Sequence, residues 1–260
     1  GDLGNLKHLE NKEVYEHYET LMGEHPTDIF CVGPNLEDVA SLFASLIPKR
    51  AHTIELREPK KVQVNEERFF EETMDLNQAI VVMGYRTNCS YRDNDYYALL
   101  VGNGILGGFA HSKLFMNVRE KASLAYSVGS HIEGSKGLLT ITAGITDDQQ
   151  EKALAIIGDQ VTACQAGQIS PDELEQTKRG LISAMISLGD SPAGIIDRNL
   201  IGVVEGEMRT IDQVVEAIRR VEHDDCVRVM ERIQLDTTYL LRPGNTENTR
   251  DEEGEHHGEN

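Results

Sequence analysis

The sequence predicts an α+β fold, an antiparallel or mixed sheet packed by helices, and three observations carry that prediction. Residues 125–145 hold two runs suited to strands, AYSVGSHIE and GLLTITAGI, around a Gly-Ser-Lys-Gly turn, which is a hairpin signal. Two capping boxes, Ser170-Pro171-Asp172-Glu173 and Thr210-Ile211-Asp212-Gln213, each open a run with apolar residues at helical spacing. Strands come in small groups with helices between and after them, and no strict βαβ repetition appears.

At the start, Asn11 can cap a helix whose apolar face is Val14, Tyr18, Leu21 and Met22. A short strand over 28–33 (DIFCVG) and an amphipathic helix over 36–47 follow. Residues 51–68 are charged and lack apolar periodicity, so they read as a linker. A fuller unit begins near Phe69. Its opening stretch predicts a short helix, then a strand at 79–85, a helix over 93–106 and another over 112–121. After the hairpin, Asp147 caps a run bearing Ala153, Leu154, Ile157, Val161 and Cys164 on one face. Ser170 opens a helix with Leu174, Leu181, Met185 and Leu188 turned inward, and Thr210 opens one bearing Val214, Val215 and Ile218. The order ends on a strand, TTYLLRPG.

Helix, strand, helix at 11–47 weakly echoes helix, strand at 224–242, which suggests two related units, the first truncated. The predicted boundaries are 1–50, a linker at 51–68, a unit at 69–245 and a disordered acidic tail at 246–260.

Across 260 residues the net charge is -19, which argues against a nucleic-acid or anionic-membrane surface, since phosphate binding needs clustered Lys and Arg. No apolar run is long enough for a membrane span and no signal core opens the chain, so the expected location is cytoplasmic. Cys31, Cys89, Cys164 and Cys226 are too scattered for a zinc knuckle or disulfide frame and read as structural thiols.

Three catalytic or binding patterns fail on inspection. The helical zinc motifs need histidines four residues apart, and no two here are so spaced, so no metal ligands are assigned. Gly189 to Gly194 has one residue too many for a nucleophile elbow, and Pro192 would remove a useful backbone donor; Ser191 reads better as a helix cap. Gly102 to Gly107 matches G-x-G-x-x-G, but the preceding DNDYYALLV looks helical, so dinucleotide binding is the weakest alternative. Gly102 and Gly104 read instead as sites of close helix packing.

The stretch Gly107 to Tyr126, GGFAHSKLFMNVREKASLAY, places an arginine in the last turn of a helix and a tyrosine at the start of the next strand. A guanidinium fork and a phenol at one corner suit a peptide carbonyl or developing oxyanion, and they equally suit a helix C-terminus and a strand start. The stretch resembles the second-half signature of the insulinase-like, or pitrilysin-type, metallopeptidases, which include the mitochondrial processing peptidases. The matching residues are Gly107-Gly108, Ser112-Lys113-Leu114-Phe115, Arg119-Glu120-Lys121 and Leu124-Ala125-Tyr126. Residues 170–191 also look like the family's long helix and following turn, and GDSPAGIID looks most like a bacterial member.

That resemblance implies two homologous α+β halves closing on a chamber, with zinc held in the first half through H-x-x-E-H and a distal glutamate. Residues 1–50 match only the end of such a first half. Zinc is therefore expected in a missing half or in a homologous partner subunit, which makes the assembly a dimer of related parts. Carried over, Arg119 holds a carbonyl of the peptide substrate, Tyr126 assists beside it, and Gly107 and Gly108 shape the turn before that helix. The competing class is a catalytically inactive homologue with a structural or assembly role.

Overall fold

In the computed structural model the described residues are 3–25, 27–47 and 60–244. Contacts divide the chain into two compact units, Gly1–Arg57 with Ser191–Gly206, and Glu58–Asp190 with Glu207–Asn260. Part of the expected linker, 51–59, and the expected tail at 246–260 lie outside the described residues.

The first unit is helical: α1 (Leu3–His8), α2 (Asn11–Glu24), α3 (Leu36–Leu46) and, far along the chain, α7 (Pro192–Glu205). Its α2 is capped one residue earlier than expected, by Glu10 in a reciprocal box with Glu13. The predicted face Val14, Tyr18, Leu21 and Met22 is exposed, and neither α2 nor α3 buries a residue. The expected strand over 28–33 is irregular, since no neighbouring strand offers it a ladder among the described residues. Ser191 caps α7 as expected, its hydroxyl accepting from the Gly194 N–H.

In the second unit five strands form one mixed sheet in the order β1-β5-β2-β4-β3, comprising β1 (Arg68–Met74), β2 (Ala79–Arg86), β3 (Ala125–Glu133), β4 (Leu138–Ile145) and β5 (Gln234–Pro243). The first of these corrects the sequence reading, which placed a short helix there. Arg68–Met74 pairs in parallel with β5 across the whole unit and forms a sheet edge. The hairpin of β3 and β4 stands as predicted. Residues Val81, Met83, Ile141, Ala143 and Leu240 turn one face into a core filled by Leu99 and Val101 of α4 (Tyr96–Asn103). The same core takes Ile157 of α5 (Gln150–Gln165), Ile218 of α8 (Ile211–Arg220) and Met230 of α9 (His223–Met230). The long α6 (Pro171–Leu188) lays Leu174, Leu181 and Met185 against it.

Both predicted capping boxes are made. Ser170 Oγ accepts from the Glu173 N–H at 3.2 Å while Glu173 accepts from the Ser170 N–H at 2.8 Å, and Thr210 and Gln213 repeat the pattern. Ser170→Ala is expected to lower stability by about 1 kcal/mol, read as a shifted urea midpoint.

The glycine-rich 102–107 stretch is not a phosphate loop. It runs through the end of α4 into a π-helical segment, Gly104–Gly108, with no strand before it. A Cβ on Gly102 would sit 2.9 Å from Met230 Sδ, and one on Gly104 would sit 2.5 Å from Thr177 Cγ2. These glycines let helices approach, as the sequence reading held, and a dinucleotide site is excluded there.

Candidate functional site

Each residue of the Ser-Lys-Leu-Phe run fixes the helix that carries Arg119. Ser112 is buried, and its hydroxyl accepts from the Phe115 N–H at 3.4 Å, closing the first turn. Lys113 pairs with Glu173 of α6 at 2.7 Å; burial opposes ionisation of Glu173, but the Lys113 ammonium and the Ser170 donors hold its carboxyl below the usual range. Leu114 is fully buried, and Phe115 lies under the Arg119 guanidinium, whose carbon is 4.7 Å from the ring centroid. Asn117 donates to Gln160 of α5 at 2.6 Å. The segment Phe115–Lys121 is π-helical, with Val118 as its buried inner residue.

The corner after it is closed by the backbone. The Ala122 N–H donates to Asn117 O, Ser123 takes a left-handed φ of 52°, and the Leu124 N–H donates to Val118 O at 3.0 Å. Arg119 thus follows one end of that last bond, and Tyr126 lies two residues beyond the other. Tyr126 occupies a β-bulge: Ala125 pairs with Ile145 and Ser127 with Gly144, so Tyr126 has no partner opposite. Its side chain is 81% exposed. The arginine side chain is 43% exposed, and its contact with Glu120, 3.9 Å, is a loose surface pair worth little. Both side chains are open to solvent beside this backbone-bonded corner and can donate hydrogen bonds outward.

Gly107 and Gly108 end the preceding π-helical segment. A Cβ on Gly107 would meet Ser130 N at 2.7 Å, and a Cβ on Gly129 would meet Gly107 O at 3.3 Å, so two glycines let this segment press against β3. Asn103 and Ser130 brace the contact: Ser130 Oγ donates to Asn103 O at 3.3 Å and Asn103 Nδ2 to Ser130 O at 3.5 Å. The sequence reading missed Phe115 as a platform and the Asn103–Ser130 brace. The four-residue offset from Phe115 to Arg119 was a usable signal, whereas nothing local joins residues 103 and 130.

Among the described residues no three of His, Cys, Asp or Glu gather where they could hold a metal ion. His111 shares a hydrogen bond with Thr177 at 3.0 Å and stacks on Phe109. Burial pushes the thiols of Cys89, Cys164 and Cys226 up to about 12, which leaves them poor nucleophiles.

A family model described as the peptidase M16 inactive domain matches residues 8–181. The chain is 34% identical over 247 residues to a probable inactive metalloprotease of Bacillus subtilis, YmfF, covering 93% of this chain and 57% of that protein. It is 26% identical over 187 residues to the mitochondrial-processing peptidase subunit alpha of Caenorhabditis elegans, covering 66% of this chain and 36% of that one. A crystal structure of a conserved protein from Enterococcus faecalis superposes with a TM-score of 0.82 at 28% identity, over 94% of this chain and 59% of that chain. The chain spans a little over half the length of the Bacillus subtilis and Enterococcus faecalis proteins it matches. On the motif, the fold and these matches together, the chain belongs to the peptidase M16, insulinase-like family, as its inactive, non-metal-binding C-terminal domain.

Proposed function

We propose that this domain is the substrate-clamping half of a peptidase-type assembly, holding the main chain of a peptide with Arg119 and Tyr126 while another half or a homologous subunit supplies the zinc. One observation carries the reading: the two donors flank a corner closed by its own backbone, and both are exposed. Residues 1–50 are read as the end of a first half and 69–245 as the second, although contacts group Ser191–Gly206 with Gly1–Arg57. Pairing with a homologous part is supported by the relatives, one of which is named as a subunit. Gly107 lets the segment before the clamp's helix press against β3, and Gly108 ends that segment. A cytoplasmic, bacterial setting fits the acidic composition and the free thiols, and no described helix is long and apolar enough to cross a membrane.

A scaffold without peptide contact is the second reading, favoured by the occupation of Arg119 with Phe115 and Glu120. Titrating a fluorescein-labelled, extended peptide of mixed sequence by anisotropy separates the two. Weak saturable binding is expected, reduced about tenfold in Arg119→Ala and less in Arg119→Lys, which keeps charge but loses the fork. Arg119 is exposed, so circular dichroism of the variant should match the wild type. Equal binding by both proteins, or none by either, sinks the clamp and leaves the scaffold.

A further inference from the structure

Asn88 sits two residues beyond β2 with a left-handed φ of 50°. Its amide works in both directions, donating to Val62 O at 3.0 Å and accepting from the Val62 N–H at 2.9 Å. These two hydrogen bonds fix the backbone beside Lys60 and Lys61. From the hairpin turn, Gly137 at φ 59° accepts from the Thr87 N–H at 2.9 Å and approaches Asn88 so closely that a Cβ would touch its Cα at 3.5 Å. Lys136 is carried in with it.

Between these segments lies a hollow of about 240 Å³, lined among others by Lys60, Lys61, Arg92, Lys136, Asp93 and Cys89. Four cations face one carboxylate there, 4 − 1 = +3, on a chain whose net charge is -19. Asp93 is already engaged, accepting from the Ser90 N–H at 2.6 Å and the Ser90 hydroxyl at 2.8 Å. The neighbouring hollow, about 410 Å³, has Lys61 and Arg232 against Asp93 and Asp95, 2 − 2 = 0, and Asp95 is held by Arg228 and Arg232. An anion is therefore drawn to the first. Its size is below that of ordinary organic-ligand pockets, which selects a compact ligand. Three of the four cations are lysines, whose compact ammonium charges suit a point-like polyanion. The site is remote from the clamp, because β4 separates Gly137 from the Ile145 end that pairs beside Tyr126, roughly 25 Å at strand rise.

We propose that this hollow binds a compact phosphate-bearing anion, gripped by Lys60, Lys61 and Lys136 on a frame set by Asn88. Inorganic pyrophosphate is the probe, titrated calorimetrically into the protein at low salt. One saturable site is expected, weakening as salt rises. A Lys61→Gln, Lys136→Gln double variant is expected to bind about tenfold more weakly. Asn88→Gly, which keeps the left-handed φ and removes the amide, should also weaken binding without touching a lysine. These lysines are exposed, so the double variant keeps its fold, checked by its melting temperature. No saturable binding to wild type, or one affinity shared by all three proteins, overturns the site. Tighter binding of a glutamate-rich peptide than of pyrophosphate overturns the phosphate assignment.

Discussion

Gly107→Ala is expected to destabilise the protein by about 3 kcal/mol, the upper end of what overpacking a dense contact costs. The added Cβ would lie 2.5 Å from Ser130 Oγ, 2.7 Å from Ser130 N and 2.8 Å from Leu114 Cδ1. A hydroxyl can rotate and a methyl can yield, but Ser130 N belongs to the backbone of β3, which is laddered to β4 and braced by Asn103. Either the strand or the π-helical segment has to move. For a domain of this size the melting temperature should fall by about 6–12 °C. Gly158 of α5 is the matched control, since a Cβ there meets nothing within 4 Å. Gly158→Ala should raise stability by about 0.5–1 kcal/mol through helix propensity alone. If both alanines shift the midpoint alike, close approach is not what glycine serves at position 107.

Local signals were legible in the sequence where the chain satisfies itself locally. The capping boxes at Ser170 and Thr210 predict hydrogen bonds three residues away, and those bonds are present. The hairpin was readable because its turn sits beside the strands it joins. The stretch RFFEETM was misread for a physical reason. All seven of its residues are exposed, so no face is buried and no period-two pattern is written into it. It is a strand because β5, some 170 residues later in the chain, offers it a parallel partner. DIFCVG shows the converse: its residues favour a strand, and no ladder among the described residues makes it one.

The candidate site divides along the same line. Arg119 and Tyr126 were legible as types at a spacing, and the closed corner between them follows from a helix ending and a strand starting. The bulge at Tyr126 was not, because it depends on how Ala125 and Ser127 register against β4. Nor was the cation hollow, which joins residues 60–61, 88–93 and 136–137 from three separate segments. Composition pointed away from it: a net charge of -19 says nothing about where the minority charges gather.

Asp236→Asn is expected to lower stability by about 2–3 kcal/mol at pH 7 and to loosen β1 before the rest of the sheet. Opposite the Gly84–Tyr85 irregularity, Thr237 pairs with Gly84 and Leu235 with Tyr85, leaving Asp236 out of the ladder. Its buried carboxylate accepts from Arg68 of β1 and Arg86 of β2, each at 2.5 Å, and from the Thr237 hydroxyl at 3.1 Å. One side chain thus ties three adjacent strands. Neutralising it leaves two guanidinium groups without their anion, and the loss stays below that of a sealed ion pair because the Arg68 side chain is 55% exposed. Burial opposes ionisation of Asp236, yet the arginine and threonine donors outweigh it and hold the carboxyl below the usual range. A carboxyl lowered on folding stabilises the native state above its unfolded pKa, about 3.9, and that contribution vanishes as pH falls through the native value. Wild type and Asp236→Asn should therefore differ most above about pH 5 and converge below about pH 4. Hydrogen exchange should show the β1 amides opening faster in the variant, since that exposed edge is held by the β5 ladder, this ion pair and the more exposed Arg242–Glu71 pair. A gap between the two proteins that persisted undiminished at pH 3 would assign the loss to packing of the side chain and not to its charge.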